Sequence, residues 1–128
     1  MKMMKLPKRI TINLGAFQVG PNCWNATQRM FDNNIPLDFT ADYEMIKWLE
    51  ENTKVVKHPK VKDIVVFWRH GTLVHTAVRV GRRSWYHKIG YEGVHTIDNF
   101  KEVDRIYGRS GGHNSTHFEY RRFVKKKK

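Results

Sequence analysis

The run Asp63-Ile64-Val65-Val66-Phe67-Trp68 constrains the fold more than any other segment. It is almost unbroken in β-branched, aliphatic and aromatic residues, the pattern expected of a central strand. Gly71 marks a turn after it, and Leu73 to Val80 reads as the partner strand, closed by Gly81-Arg82-Arg83. Ser84 to Lys88 gives a third strand, Gly90 to Gly93 a loop, and Val94 to Ile97 a fourth strand. Phe100, Val103, Ile106 and Tyr107 have helical spacing, so Phe100 to Tyr107 reads as a short helix. Ser110 to Ser115 is a loop, and His117 to Val124 alternates as a final strand.

The half before this run has a different period. Gly20-Pro21 stops whatever precedes it, and Asn22 or Cys23 opens a helix. Cys23, Ala26, Thr27, Met30 and Phe31 fall on one face of it, and Asn33-Asn34 with Pro36 ends it. A second helix is expected from Thr40 to about Asn52, with Thr40 as cap. Asp42 and Glu44 suit its first turn, and Tyr43, Ile46 and Leu49 form its apolar face. Helices followed by a strand meander give an α+β fold, with N-terminal helices packed on a small antiparallel sheet.

At 128 residues the chain suits one domain, expected over residues 1–124, followed by a lysine tail at 125–128. A hydrophobic fraction of 40% argues for a packed globule. The single cysteine excludes an intramolecular disulfide and any multi-cysteine zinc site. No HExxH or matched Cys/His spacing occurs, so neither metal nor other cofactor is expected. No apolar run approaches the roughly 20 residues of a transmembrane helix. Lys5, Lys8 and Arg9 interrupt every stretch that a secretory signal would need, so a cytoplasmic location is expected, with release by lysis or non-classical export left open.

Lys plus Arg is 24 against 12 for Asp plus Glu, a net charge of +12. Such a surplus favours polyanionic surroundings: nucleic acid, an anionic wall polymer or lipid headgroups. Arg79, Arg82, Arg83 and Lys88 cluster around one hairpin among aromatic residues, where they can contact phosphate and stack bases. No RNA- or DNA-binding motif accompanies them.

Chemistry is suggested by one thiol and two imidazoles. Cys23 stands at a helix start, where unpaired N–H groups and the helix dipole favour thiolate. His75 and His87 lie 12 residues apart on strands joined by a tight turn, which places them near each other across the ladder. His75 can then take the thiol proton while His87 fixes its tautomer.

The helix-start cysteine, Asp-Ile-Val-Val-Phe-Trp, His-Thr-Ala-Val-Arg-Val-Gly and Trp-Tyr-His together resemble the NlpC/P60 superfamily of papain-like cysteine hydrolases. The resemblance covers roughly Asn22 to His87. It departs from the family pattern at Asn22-Cys23-Trp24-Asn25, where the family has Asp-Cys-Ser-Gly, and at Lys62, where it has glycine. The resemblance implies a papain-like fold with Cys23 as nucleophile, His75 as base and His87 in the third position. It implies cleavage of an amide bond through an acyl-enzyme, most often in peptidoglycan stem peptides. The Cys23 backbone N–H would be one oxyanion donor. Gln18 resembles the upstream glutamine of papain-like proteases, and Asn22 competes for that role. Trp68 and Tyr86, with Trp85 and Tyr91, flank the expected site and can line a substrate cleft or form sheet core. The rival expectation is a basic binding module or inhibitor on the same scaffold, holding nucleic acid or an acidic protein without cutting anything.

Overall fold

The computed structural model describes residues 22–32, 34–36, 38–89 and 95–124. In chain order its elements are α1 (Cys23–Phe31), α2 (Asp42–Asn52), β1 (Thr53–Val56), β2 (Ile64–Arg69), β3 (Thr72–Gly81), β4 (Ser84–Lys88), β5 (His95–Asp98), α3 (Phe100–Tyr107), a 3-10 turn (Arg109–Gly111) and β6 (Thr116–Phe123). The strands form one antiparallel sheet in the order β1-β6-β2-β3-β4-β5. The fold is α+β.

The apolar run is the middle of this sheet, with β6 on one side and β3 on the other. Its lack of alternation has a direct cause: both of its faces are covered. Ile64 and Val66 pack with Leu73 and Val78 against Met45 and Leu49 of α2 and Trp24, Met30 and Phe31 of α1. Val65 and Phe67 pack with Ala77 and Trp85 against Val103, Phe100 and Tyr107 of α3. Two cores therefore lie on opposite faces of the sheet. Full burial of a large aliphatic or aromatic side chain contributes about 1.5–3 kcal/mol, so the central strands anchor both.

The β2–β3 turn consists of His70 (φ 52°) and Gly71 (φ 76°). Positive φ at both central residues gives a turn whose twist matches the flanking strands. Phe67 faces His75 but Trp68 faces Leu73, so Val74 is an extra residue in β3. This bulge lets Leu73 join Val78 in the α1/α2 core while His75 and Ala77 face α3.

Some expectations need correction. Thr40 does not cap α2; Ala41 does, and its backbone N–H donates to Glu44 Oε1 at 2.8 Å. Thr40 is buried and donates instead to Gln28 Oε1 at 2.8 Å, tying the approach to α2 onto α1. Tyr43 is 72% exposed, and Met45 takes the expected place of Tyr43 on the buried face of α2. The strand β1 was not expected. It follows α2 without a break, pairing Thr53 with Phe123 and Val56 with Tyr120. The loop after α3 contains a 3-10 turn. Gly20-Pro21, the Gly90 to Gly93 loop, Tyr91 and the lysine tail lie outside the described residues.

Candidate functional site

His75 and His87 converge. His75 Nε2 lies 2.8 Å from His87 Nδ1, and His87 Nε2 lies 2.9 Å from Asp98 Oδ2. The register explains the second contact: Trp85 faces Asp98 and His87 faces Thr96, so Asp98 is a diagonal neighbour of His87 across β4 and β5. Both imidazoles are buried, and Asp98 is a quarter exposed.

This chain of contacts fixes the tautomers. A carboxylate only accepts, so the proton of His87 sits on Nε2. His87 Nδ1 is then an acceptor, and His75 must donate to it from Nε2. The remaining nitrogen, His75 Nδ1, carries a lone pair. It is buried and has no hydrogen-bond partner among the described residues. Burial lowers the pKa of His75 well below its ordinary value, with His87 adding to the shift. Burial also lowers that of His87, opposed by the hydrogen bond and charge of Asp98. Both rings are neutral at pH 7, and His75 Nδ1 is a free base. The ring of Tyr107 lies flat on His75 at 3.5 Å with planes 9° apart, closing the site on the α3 side.

Cys23 is the first residue of α1, as its position after Asn22 suggests. The Asn22 side chain accepts from the backbone N–H of Asn25 at 3.0 Å and donates to the Thr40 carbonyl at 2.8 Å. Asn22 is thus a helix cap and a strut, which accounts for its burial more directly than an oxyanion role does. Helix α1 is pinned to β3 by a buried hydroxyl pair, Thr27 Oγ1 to Thr76 Oγ1 at 2.7 Å. Thr76 therefore faces α1, and its neighbour His75 faces the other way, toward α3.

The thiol and the imidazole approach β3 from opposite faces, and no hydrogen bond joins them. The backbone N–H of Thr76, the residue after His75, acts on the Cys23 sulfur. The β3–β4 ladder ends at Val78 and Tyr86, so among the described residues β3 has no ladder partner on its β4 side at Thr76. The thiol was expected to be acidified by the helix start. Burial instead pushes it up to about 12, outweighing the Thr76 N–H, the charge of Lys88 and the N–H groups of Trp24 and Cys23. Desolvation disfavours the charged form, and here it is the larger effect.

Trp68 and Tyr86 do not line the histidine site. Trp68 packs into the α1/α2 core and donates from Nε1 to Glu119 Oε2 at 3.2 Å. Tyr86 is buried opposite Val78, and burial raises its hydroxyl pKa. Both belong to the sheet core. Gln18 lies outside the described residues.

Three residues at the site escaped sequence reasoning. Asp98 had a readable signal, since it follows His87 by 11 residues across a strand connection, much as His87 follows His75 by 12. Lys88 is fully buried and near enough to Cys23 to favour its thiolate, but a lysine ending a strand gives no such hint. Tyr107 was read as one residue of a helix face; nothing in its spacing says that it caps an imidazole. Among the described residues no three metal-ligating side chains gather, and no helix is long and apolar enough to cross a membrane. No protein-family model matches the chain, and no curated protein matches it significantly.

Proposed function

We propose that this protein is a thiol hydrolase acting on amide bonds, a divergent papain-like enzyme of the NlpC/P60 kind. The observation that carries the reading is the relay Asp98–His87–His75, which ends in a buried Nδ1 lone pair without a partner. A polar atom left unsatisfied in a core costs about 1–3 kcal/mol, and a catalytic role is one of the reasons for which such a cost is retained. The resting thiol is protonated, so the mechanism is general-base attack, not a standing thiolate–imidazolium pair. Substrate arrives on the Cys23 side, because Tyr107 closes the other. As the Cys23 sulfur bonds to the carbonyl carbon, its proton passes to His75 Nδ1. Lys88 stabilises the negative charge that develops at sulfur. The C–N bond then breaks, the amine leaves with the proton from His75, and water releases the acyl group by the reverse sequence. Asp98 and His87 hold the tautomer throughout.

Peptidoglycan stem peptides are the substrate class to test first, since the +12 surface suits an anionic wall. Purified stem peptide should yield a new free amine with wild type and none with Cys23→Ala of unchanged circular dichroism. Full turnover by that variant would remove the proposal. The high Cys23 pKa favours the rival reading, a binding module with an inert thiol; that reading expects no turnover from either protein.

A further inference from the structure

At the hairpin end of β3 and β4, away from Cys23, lies an open pocket of about 350 Å³. That volume falls in the range of small-ligand sites. Its walls include Arg79, Arg82, Arg83, Trp85, Phe100 and Tyr120, and no carboxylate among the described residues. Arg79 forms the base of the cationic side. Its Nη1 donates to the Pro59 carbonyl at 2.7 Å and its Nη2 to the Arg82 carbonyl at 2.6 Å, while its buried Nε has no partner among the described residues. This clamp fixes the turn that presents Arg82 and Arg83. Both are exposed, and neither has an acidic partner among the described residues.

The other wall is aromatic. Trp85 and Tyr120 are stacked with centroids 6.1 Å apart, and Phe100 meets Trp85 edge-on at 5.7 Å. Phe100 and Tyr120 are half-buried, so parts of their rings remain open. Asn99, which caps α3, completes the rim and brings the positive end of that helix to the pocket. Guanidinium groups opposite flat rings match a ligand with a phosphate and a planar base. An acidic peptide would use the arginines and leave the rings without a role.

We propose that this pocket binds one nucleotide unit, with phosphate on Arg82 and Arg83 and the base against Tyr120 and Phe100. The site is separate from the thiol chemistry and stands whether or not the protein is a hydrolase. The test is anisotropy of a fluorescein-labelled oligothymidine of about eight nucleotides with the full chain, read across a salt series. Arg82→Ala/Arg83→Ala should weaken binding about tenfold and make the log–log salt slope shallower by about 0.7, the value for one single-strand phosphate contact. Lys54→Ala/Lys57→Ala removes the same charge from exposed positions elsewhere and should change affinity much less. Tyr120→Phe should retain binding and Tyr120→Leu should lose it. Competition by adenosine monophosphate would assign the pocket to free nucleotides; competition by oligomer alone would assign it to a strand. Absence of binding, equal losses from the two charge-matched pairs, no effect of Tyr120→Leu, or displacement by polyphosphate as effective per charge as by oligomer would each overturn the proposal.

Discussion

His75 Nδ1 is the atom on which the chemical account depends. Its lone pair follows from a sequence of donors and acceptors that begins at a carboxylate 25% exposed and ends in the core. The assignment is measurable directly. Nitrogen NMR of the imidazoles should show His75 protonated on Nε2 and bare on Nδ1 at pH 7, and a proton on Nδ1 would contradict it. Asp98→Ala removes the acceptor that fixes the chain. We expect both tautomers of His87 to be populated in that variant and acyl transfer to fall by about 100-fold. An unchanged rate would mean that Asp98 plays no part. Cys23 teaches the complementary lesson. A helix start and the nearby charge of Lys88 both favour the Cys23 thiolate, but the desolvation of the sulfur outweighs them.

Among the elements, the strands of the meander were legible because each ends in a turn signal. β4 and α3 have the bounds read from sequence, and Gly71 and Gly81 bracket β3 closely. β1 was not legible, because Thr53-Lys54-Val55-Val56 follows α2 with no glycine or proline between them. Only its partner, β6 from the far end of the chain, makes it a strand. The convergence of His75 and His87 was readable from hairpin spacing, whereas the face presented to α1 was not, since it depends on which helix covers which side. Asp63 shows how the strands are locked at their ends. It is buried, accepts from the backbone N–H of Lys60 at 2.7 Å, and takes Arg122 of β6 through Nε at 2.9 Å and Nη2 at 2.8 Å. Asp63→Ala should cost about 2–3 kcal/mol in chemical denaturation. Arg122 is one-third exposed and can be rehydrated, which keeps the loss toward the lower end. A change under about 0.5 kcal/mol, the size of an ordinary surface substitution, would show that this bridge does not hold β2 to β6.

At the scale of the whole molecule, the sheet separates two cores, one on each face. The α1/α2 face carries the thiol; the α3 face carries the imidazole relay and, at its far end, the arginine–aromatic pocket. Burying two histidines also ties stability to pH. Their folded-state pKa values lie below the ordinary value of 6.5. Above about 6.5 both states are neutral at these sites and their contribution is fully present. As pH falls below it, the unfolded chain takes up protons that the folded protein refuses, and that contribution is lost. The slope is at most about 1.4 kcal/mol per pH unit for each histidine. Calorimetry should therefore show Tm falling from pH 6.5 to 5, less steeply in His75→Gln; a flat wild-type profile would contradict the burial of neutral imidazoles. In the proposed mechanism Cys23 and His75 act together although they approach β3 from opposite faces. The most direct test is acylation by p-nitrophenyl acetate, followed by mass spectrometry. We expect one acetyl group per chain, located on Cys23, forming about 100-fold more slowly or slower still in His75→Ala and absent in Cys23→Ala. An unmodified Cys23 in the wild type, or equal rates with and without His75, would contradict it.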